Sequence, residues 1–448
     1  MLYQLPTLRE LFTNLWMPPT TPLMNAVSLN NINNLSLNTK IINDNPYLFN
    51  NELVNKNLPI TNQRSSGRCW LFASCNLIRS VTYPILSEKY GDIENFELSQ
   101  NYLFFWDKLE RYHRILRYYT QIENEEENRD RYQYQLLQDP LGDGGQWDMA
   151  KEIIKKYGVV PKSAFPDTYH SRNSRHMNKV LTSQLKSDIN KIKNLKNDPA
   201  LNDNINIMVK RVYKLLVSFL GKPPEKFSWT FKEGKGNKIY TEKSITPIDF
   251  LSSLGFDPDE WVSVINDPRK KNDYESYYEI KYLGNVLDKH VGWINLPMDR
   301  LIELTKKSID DKNPVWFGCD NGAEADASSG VKHPGIHNFK DLLGTEINMN
   351  KEERLDTFSS LPNHAMMING YHEDNNEIIR WKIENSWGKD SGKDGFCLMT
   401  NEWMKEYVYQ ILVKKDLLND SERNVLENKD NYRTIEPWDP LGTLAKIN

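Results

Sequence analysis

The run Gln63-Arg64-Ser65-Ser66-Gly67-Arg68-Cys69-Trp70-Leu71-Phe72-Ala73 constrains this chain more than any other. Gly67 permits a tight turn just before the cysteine. The apolar stretch from Trp70 to Val81 then predicts a helix. A thiol at a helix N-terminus meets the positive end of the helix dipole, which favours the nucleophilic thiolate. Gln63 lies close enough upstream to bring an amide donor to the same place. The segment thus offers a nucleophile and an oxyanion donor, but no base. Two later segments, Asn363-His364-Ala365-Met366-Met367-Ile368-Asn369-Gly370 and Glu384-Asn385-Ser386-Trp387-Gly388, supply a histidine and a residue to orient it.

The 448 residues, 39% of them apolar, suffice for a large core, and a net charge of −4 gives no strongly basic character. No run approaches the ~18–20 apolar residues of a membrane span. No charged start leads into an apolar core and a cleavage site, so secretion is not expected. The first thirty residues carry only Arg9 and Glu10, too little arginine to favour a mitochondrial presequence over a cytoplasmic protein. The four cysteines, Cys69, Cys75, Cys319 and Cys397, form no CxxC pair. That argues against a disulfide framework or a structural zinc site and for a reducing compartment.

The chain divides into five stretches. Residues 1–54 read as an extended arm, broken by Pro6, Pro18, Pro19 and Pro22. Residues 55–175 form a helical part containing Cys69, with helices over 70–86, over 98–119 with Ser99 as N-cap, and over 148–157 with Gly158 as C-cap. Glu123 to Arg131 reads as an exposed loop or helix end. Residues 176–312 form a lysine-rich helical insert, with a hairpin over 225–245, loops and a short helix over 247–275, and a helix over 296–310. Residues 313–415, with His364 and Asn385, carry short apolar runs of antiparallel-sheet type, including the buried strand Pro314–Gly318. Residues 416–448 form a polar tail that turns apolar at Glu436-Pro437-Trp438-Asp439-Pro440-Leu441-Gly442-Thr443-Leu444-Ala445.

Each candidate taken singly has an ordinary reading. A cysteine opening an apolar helix is usually a small core residue, a histidine before a strand can be structural, and an asparagine near a glycine can belong to a turn. Together, Cys69, His364 and Asn385 have the chain order of a thiol nucleophile, its base and the group that fixes the base's ring. Trp70, Trp387 and Gly388 would build an aromatic wall that keeps water from the His–Asn hydrogen bond.

GRCWLFA, GGQWDMAKEIIKKYGVVP, NHAMMINGY and ENSWG resemble the papain fold of cysteine proteases. His364 lies about 300 residues beyond Cys69, against roughly 130–150 in simple papain-like enzymes. NQRSSGRCWLFA, FELSQNYLFFWDKLER, DGGQWDM and NPVWFGCDNG, with the long insert, resemble the bleomycin hydrolase and aminopeptidase C family. The likeness runs from about residue 55 to the chain end and implies an α+β papain-like fold. Its helical and β-barrel-like subdomains would carry the helical insert and a C-terminal tail in the cleft. It implies Cys69 as nucleophile, His364 as base and acid, Asn385 as orienter, Gln63 with the Cys69 N–H as oxyanion donors, and no metal or cofactor. It also implies removal of residues from peptide N-termini, broad amide hydrolysis and homocysteine thiolactone hydrolysis.

In that family the terminal carboxylate of the tail holds the substrate's free amine. Trimming of Lys446 to Asn448 would place that carboxylate on Ala445. The family further implies a homohexamer around a partly basic channel. Lys179, Lys186, Lys191, Lys193, Lys196, Lys210 and Lys214 read either as a solvated helix face or as a patch for nucleic acid. Three rival functions stand beside the aminopeptidase: an endopeptidase with a mobile tail, a nucleic-acid-binding ring with secondary peptidase activity, and an acyl transferase. Cys75, Cys319 and Cys397 read as core residues. His333, His337 and Asp326 read as an exposed loop rather than a metal site, and His372 as a strand-end surface residue.

Overall fold

The computed structural model describes residues 20–53, 58–122, 127–195, 198–234, 236, 238–345, 347–428 and 431–444. One half is helical. The nucleophile helix, Cys69–Tyr90, packs near the Gln100–Ile122 and Trp147–Tyr157 helices. Local signals set their ends: Ser99 Oγ accepts from the Tyr102 N–H at 3.1 Å, and Gly158 closes its helix at φ 71°. The insert supplies the Arg175–Ile192 and Leu201–Leu220 helices. Each turns an apolar stripe (Leu181, Leu185, Ile189; Val212, Leu216, Leu220) to this core. Lys179, Lys186, Lys191, Lys193, Lys210 and Lys214 face solvent. The expected hairpin pairs Phe227–Lys232 with Ile239–Ile245. A further helix, Arg129–Gln138, stands where the sequence predicts an exposed end.

The other half is a twelve-stranded mixed sheet. At its centre Val315–Cys319 pairs antiparallel with His364–Asp374 on one side and Val408–Lys414 on the other. His364–Asp374 pairs next with Glu377–Glu384, which pairs with Phe396–Thr400. The sequence predicts no strand over 247–275, yet Trp261–Ile265 joins Val408–Lys414, and Ser276–Ile280 and Gly292–Asn295 extend the sheet. A five-residue apolar run is a strand or a buried helical turn until a partner edge is known, and that edge lies far along the chain.

The N-terminal arm is more structured than the sequence predicts. Within residues 20–53 three short helices form, and Asn51–Glu52 adds to the His364–Asp374 strand. Leu37, Ile41, Ile42, Tyr47 and Phe49 pack on Val331, Ile336 and Leu398. Spread among asparagines, these apolar residues carry no obvious period, but each finds a pocket on the sheet. Among the described residues no helix is long and apolar enough to cross a membrane.

Candidate active site

Cys69 opens its helix, and the loop before it is anchored from below. The Gly67 N–H donates to Asp143 Oδ2 at 3.0 Å, and Trp70 Nε1 donates to Asp143 O at 2.7 Å. Asp143 is wholly buried and meets Lys108 Nζ at 2.9 Å, Asn178 Nδ2 at 2.6 Å and the Ser174 hydroxyl. Desolvation opposes its charge, but the Lys108 ammonium and the hydrogen bonds outweigh it and hold the carboxyl down at about 2. Gly145 lies against the Trp70 ring, where a Cβ would sit 2.5 Å from ring carbons. Trp70 therefore belongs to the floor of the site, and the expected aromatic wall consists of Trp387 alone.

Strand register delivers the other two groups. His364 is the first residue of its strand, opposite Cys319. Met367 pairs with Glu384, so the turn beginning at Asn385 comes beside His364. His364 Nε2 lies 3.0 Å from Asn385 Oδ1, which also accepts the Ser386 N–H at 2.8 Å. That second bond fixes the amide orientation. Nε2 is then the protonated nitrogen, and Nδ1 is left as acceptor. The Trp387 ring lies 5.1 Å from the imidazole, centroid to centroid, at 37°. Trp387 is 42% exposed, so its outer face meets water and its inner face covers the pair.

Gln63 is buried and doubly tied. Its Nε2 donates to Ser66 O at 2.6 Å, and its Oε1 accepts from Ser386 Oγ at 2.7 Å. One amide hydrogen stays uncommitted, the one an oxyanion would take. Gln63→Ala is expected to lower kcat by about 10²–10³-fold with little change in KM, measured by steady-state kinetics.

Cys69 and His364 line one small pocket with Gln146, Trp316 and Thr443, and about 20 Å³ of space remains there, room for roughly one water. Cys69 is 2% exposed. Burial pushes its thiol up to about 11, against the N–H groups of Ala365, Trp70 and Cys69 itself. Burial drives the His364 imidazole down to about 4, against its bond to Asn385 and with the Lys332 charge adding to the fall. The sequence predicts a thiolate at neutral pH. Desolvation works against the charged form of each group and opposes the pull of the helix terminus on the thiol.

The tail reaches the cleft. Asp439 is clamped by Arg269 at 2.8 Å and 3.1 Å, Gln135 Nε2 donates to Pro437 O at 3.0 Å, and Gln146 Nε2 donates to Leu441 O at 3.2 Å. Trp438 lies under Arg131. Thr443 then forms a wall of the Cys69 pocket. Ala445 and Lys446 to Asn448 lie outside the described residues.

Cys75, Cys319 and Cys397 are buried free thiols. His333 and His337 are half-buried rather than exposed; His337 Nδ1 lies 3.2 Å from Ser36 Oγ. His372 is half-buried within its strand. Among the described residues no group of three or more His, Cys, Asp or Glu side chains could hold a metal ion. Sequence reasoning missed Asp143, Ser386 and Gln146. The only signal for them was proximity to GDGGQW and ENSWG, which marks a place and not a bond.

A thiol, an imidazole and an oriented amide, set where a helical half meets a sheet half, define a papain-like cysteine peptidase. The model of the Peptidase C1-like family matches residues 6–442, and the chain belongs to that family. It is 35% identical over 413 residues to bleomycin hydrolase of Mus musculus, covering 89% of each. It is 39% identical over 391 residues to aminopeptidase C of Lactococcus lactis subsp. cremoris, covering 86% of this chain and 87% of the relative. The crystal structure of PepW from Lactobacillus rhamnosis superposes with a TM-score of 0.89 at 34% identity, covering 95% of both chains.

Proposed function

We propose that this chain is a cysteine aminopeptidase that acts on peptides with a free α-amino group. His364 Nδ1 takes the Cys69 proton as sulfur attacks the scissile carbonyl. The ion pair forms where its two charges stabilise each other and a bound substrate keeps water out. Gln63 Nε2 and the Cys69 N–H receive the oxyanion. His364 returns the proton to the leaving amine, and water attacks the thioester with His364 again as base. Asn385 keeps the imidazole turned toward sulfur throughout.

The observation that carries this reading is the His364–Asn385 bond at 3.0 Å on the rim of the pocket that Cys69 lines. Thr443 in the same wall supports exopeptidase action, since a tail there leaves little length of cleft on the amino side of the scissile bond. The same reading places the enzyme in the cytoplasm, where its thiols stay reduced, and assigns it a homohexamer on family likeness.

The test compares a leucine fluorogenic amide with its N-acetyl form. Cleavage of the free amine alone supports the proposal, and equal rates indicate an endopeptidase. The half-buried imidazole also sets a pH dependence. Because His364 is held below its ordinary value near 6.5, protonation disables it only in more acid solution. The acid limb of kcat/KM is expected below pH 6.5, with activity kept at pH 6 and lost toward pH 4. A midpoint at or above 6.5 would contradict the desolvated site.

A further inference from the structure

Lys332 is 5% exposed and belongs to the short Val331–Lys332 strand beside Phe396–Thr400. Its Nζ donates to Asn321 O at 2.9 Å and lies 5.2 Å from the Trp403 ring centroid. Among the described residues no carboxylate forms an ion pair with it. Asp320 attracts it from farther off and gives its own oxygens to Asn363 Nδ2 and Ser360 Oγ, at 2.7 Å and 2.8 Å. A buried cation without an acid costs the fold, and such departures from good packing gather at functional sites.

Hydrogen bonds lead from this ammonium to the catalytic base. The Asn321 N–H donates to Asn363 Oδ1 at 3.0 Å, and the Asn363 N–H donates to Cys319 O at 3.0 Å. Asn363 is the residue before His364 and lines the Cys69 pocket with it. The Cys319 thiol reaches His364 O at 3.8 Å. The Lys332 charge acts on Cys319, Cys397 and His364, and on the imidazole it opposes the proton. Burial keeps the Cys319 and Cys397 thiols protonated, so neither offsets that charge. Cys69 faces His364 from the nucleophile helix across the shared pocket. Burial lowers Lys332 from its ordinary value, and falling pH restores the ammonium.

We propose that Lys332 is a positioning residue of the catalytic pair: its amine holds the Asn321 turn against Asn363, and its charge keeps the His364 imidazole a free base into acid solution. The inference rests on the proposed function.

The test uses Lys332→Met, which keeps the length of the side chain and removes the charge. The acid limb of kcat/KM on a leucine fluorogenic amide is expected to move up by about half a pH unit or more, toward 6.5. The variant is expected to fold, since an apolar side chain replaces an unpaired buried charge. An acid limb that stays where the wild type has it overturns the proposal. A variant that fails to fold overturns it as well, by making Lys332 a structural residue. If no amino acid amide is cut at all, the proposed function fails instead, and the imidazole is read without a substrate. Iodoacetamide alkylation of Cys69 at neutral pH is then expected to run about threefold faster in Lys332→Met than in the wild type, because the imidazolium that accompanies the thiolate is no longer opposed. An equal or slower rate overturns the proposal.

Discussion

Cys69→Ala is expected to lower kcat on amino acid amides by about 10⁴-fold or more, to the level set by orientation and the oxyanion donors alone. His364→Ala is expected to cost nearly as much, and the double variant little more than either. Thiol and imidazole act as one unit, so removing the second partner of a broken pair removes nothing further. Burial disfavours charge on either group alone, so the thiolate depends on the imidazole that takes its proton. Single-turnover rates of the three variants check it. Additive losses in the double variant would show that Cys69 does not use His364 as its base.

The second large effect lies beneath the site. Asp143→Ala is expected to destabilise the fold by about 3–5 kcal/mol, because it strands the Lys108 ammonium, wholly buried, with two backbone carbonyls as its other partners. It also removes the acceptor of the Gly67 N–H and so loosens the turn that aims Cys69. Activity is therefore expected to fall even where the variant remains folded. The double variant Lys108→Met, Asp143→Leu is expected to recover a good part of the stability but not the activity, since an apolar pair can replace buried charge and cannot hold Gly67. Chemical denaturation and kinetics on both variants separate the effects. A loss below about 1 kcal/mol for Asp143→Ala would mean that Lys108 finds another partner.

The site was legible in the sequence where local chemistry decides it. Gly67 before an apolar helix and Ser99 and Gly158 at helix ends act over a few residues, and the motifs around Cys69, His364 and Asn385 each carry their own local pattern. What stayed hidden depends on distant neighbours. Trp261–Ile265 is a strand because Val408–Lys414 offers it an edge. Asp143 reads as part of a glycine turn until Lys108 is placed on it. The burial of Cys69 could not be read from its helix position, because the residues that share its pocket are as far apart as Gln146, Trp316 and Thr443. The tail was legible as docked, from Trp438 and two prolines, but its anchor on Arg269 was not.

Iodoacetamide labelling at neutral pH, mapped by mass spectrometry, tests the meeting of these segments most directly. All four thiols are buried, and Cys69 lines a pocket beside a base. Carboxamidomethylation of Cys69 is expected well ahead of Cys75, Cys319 and Cys397, slowed about tenfold or more in His364→Ala. Labelling of Cys69 at an unchanged rate without the imidazole, or faster labelling of another cysteine, would contradict the meeting of Cys69 and His364.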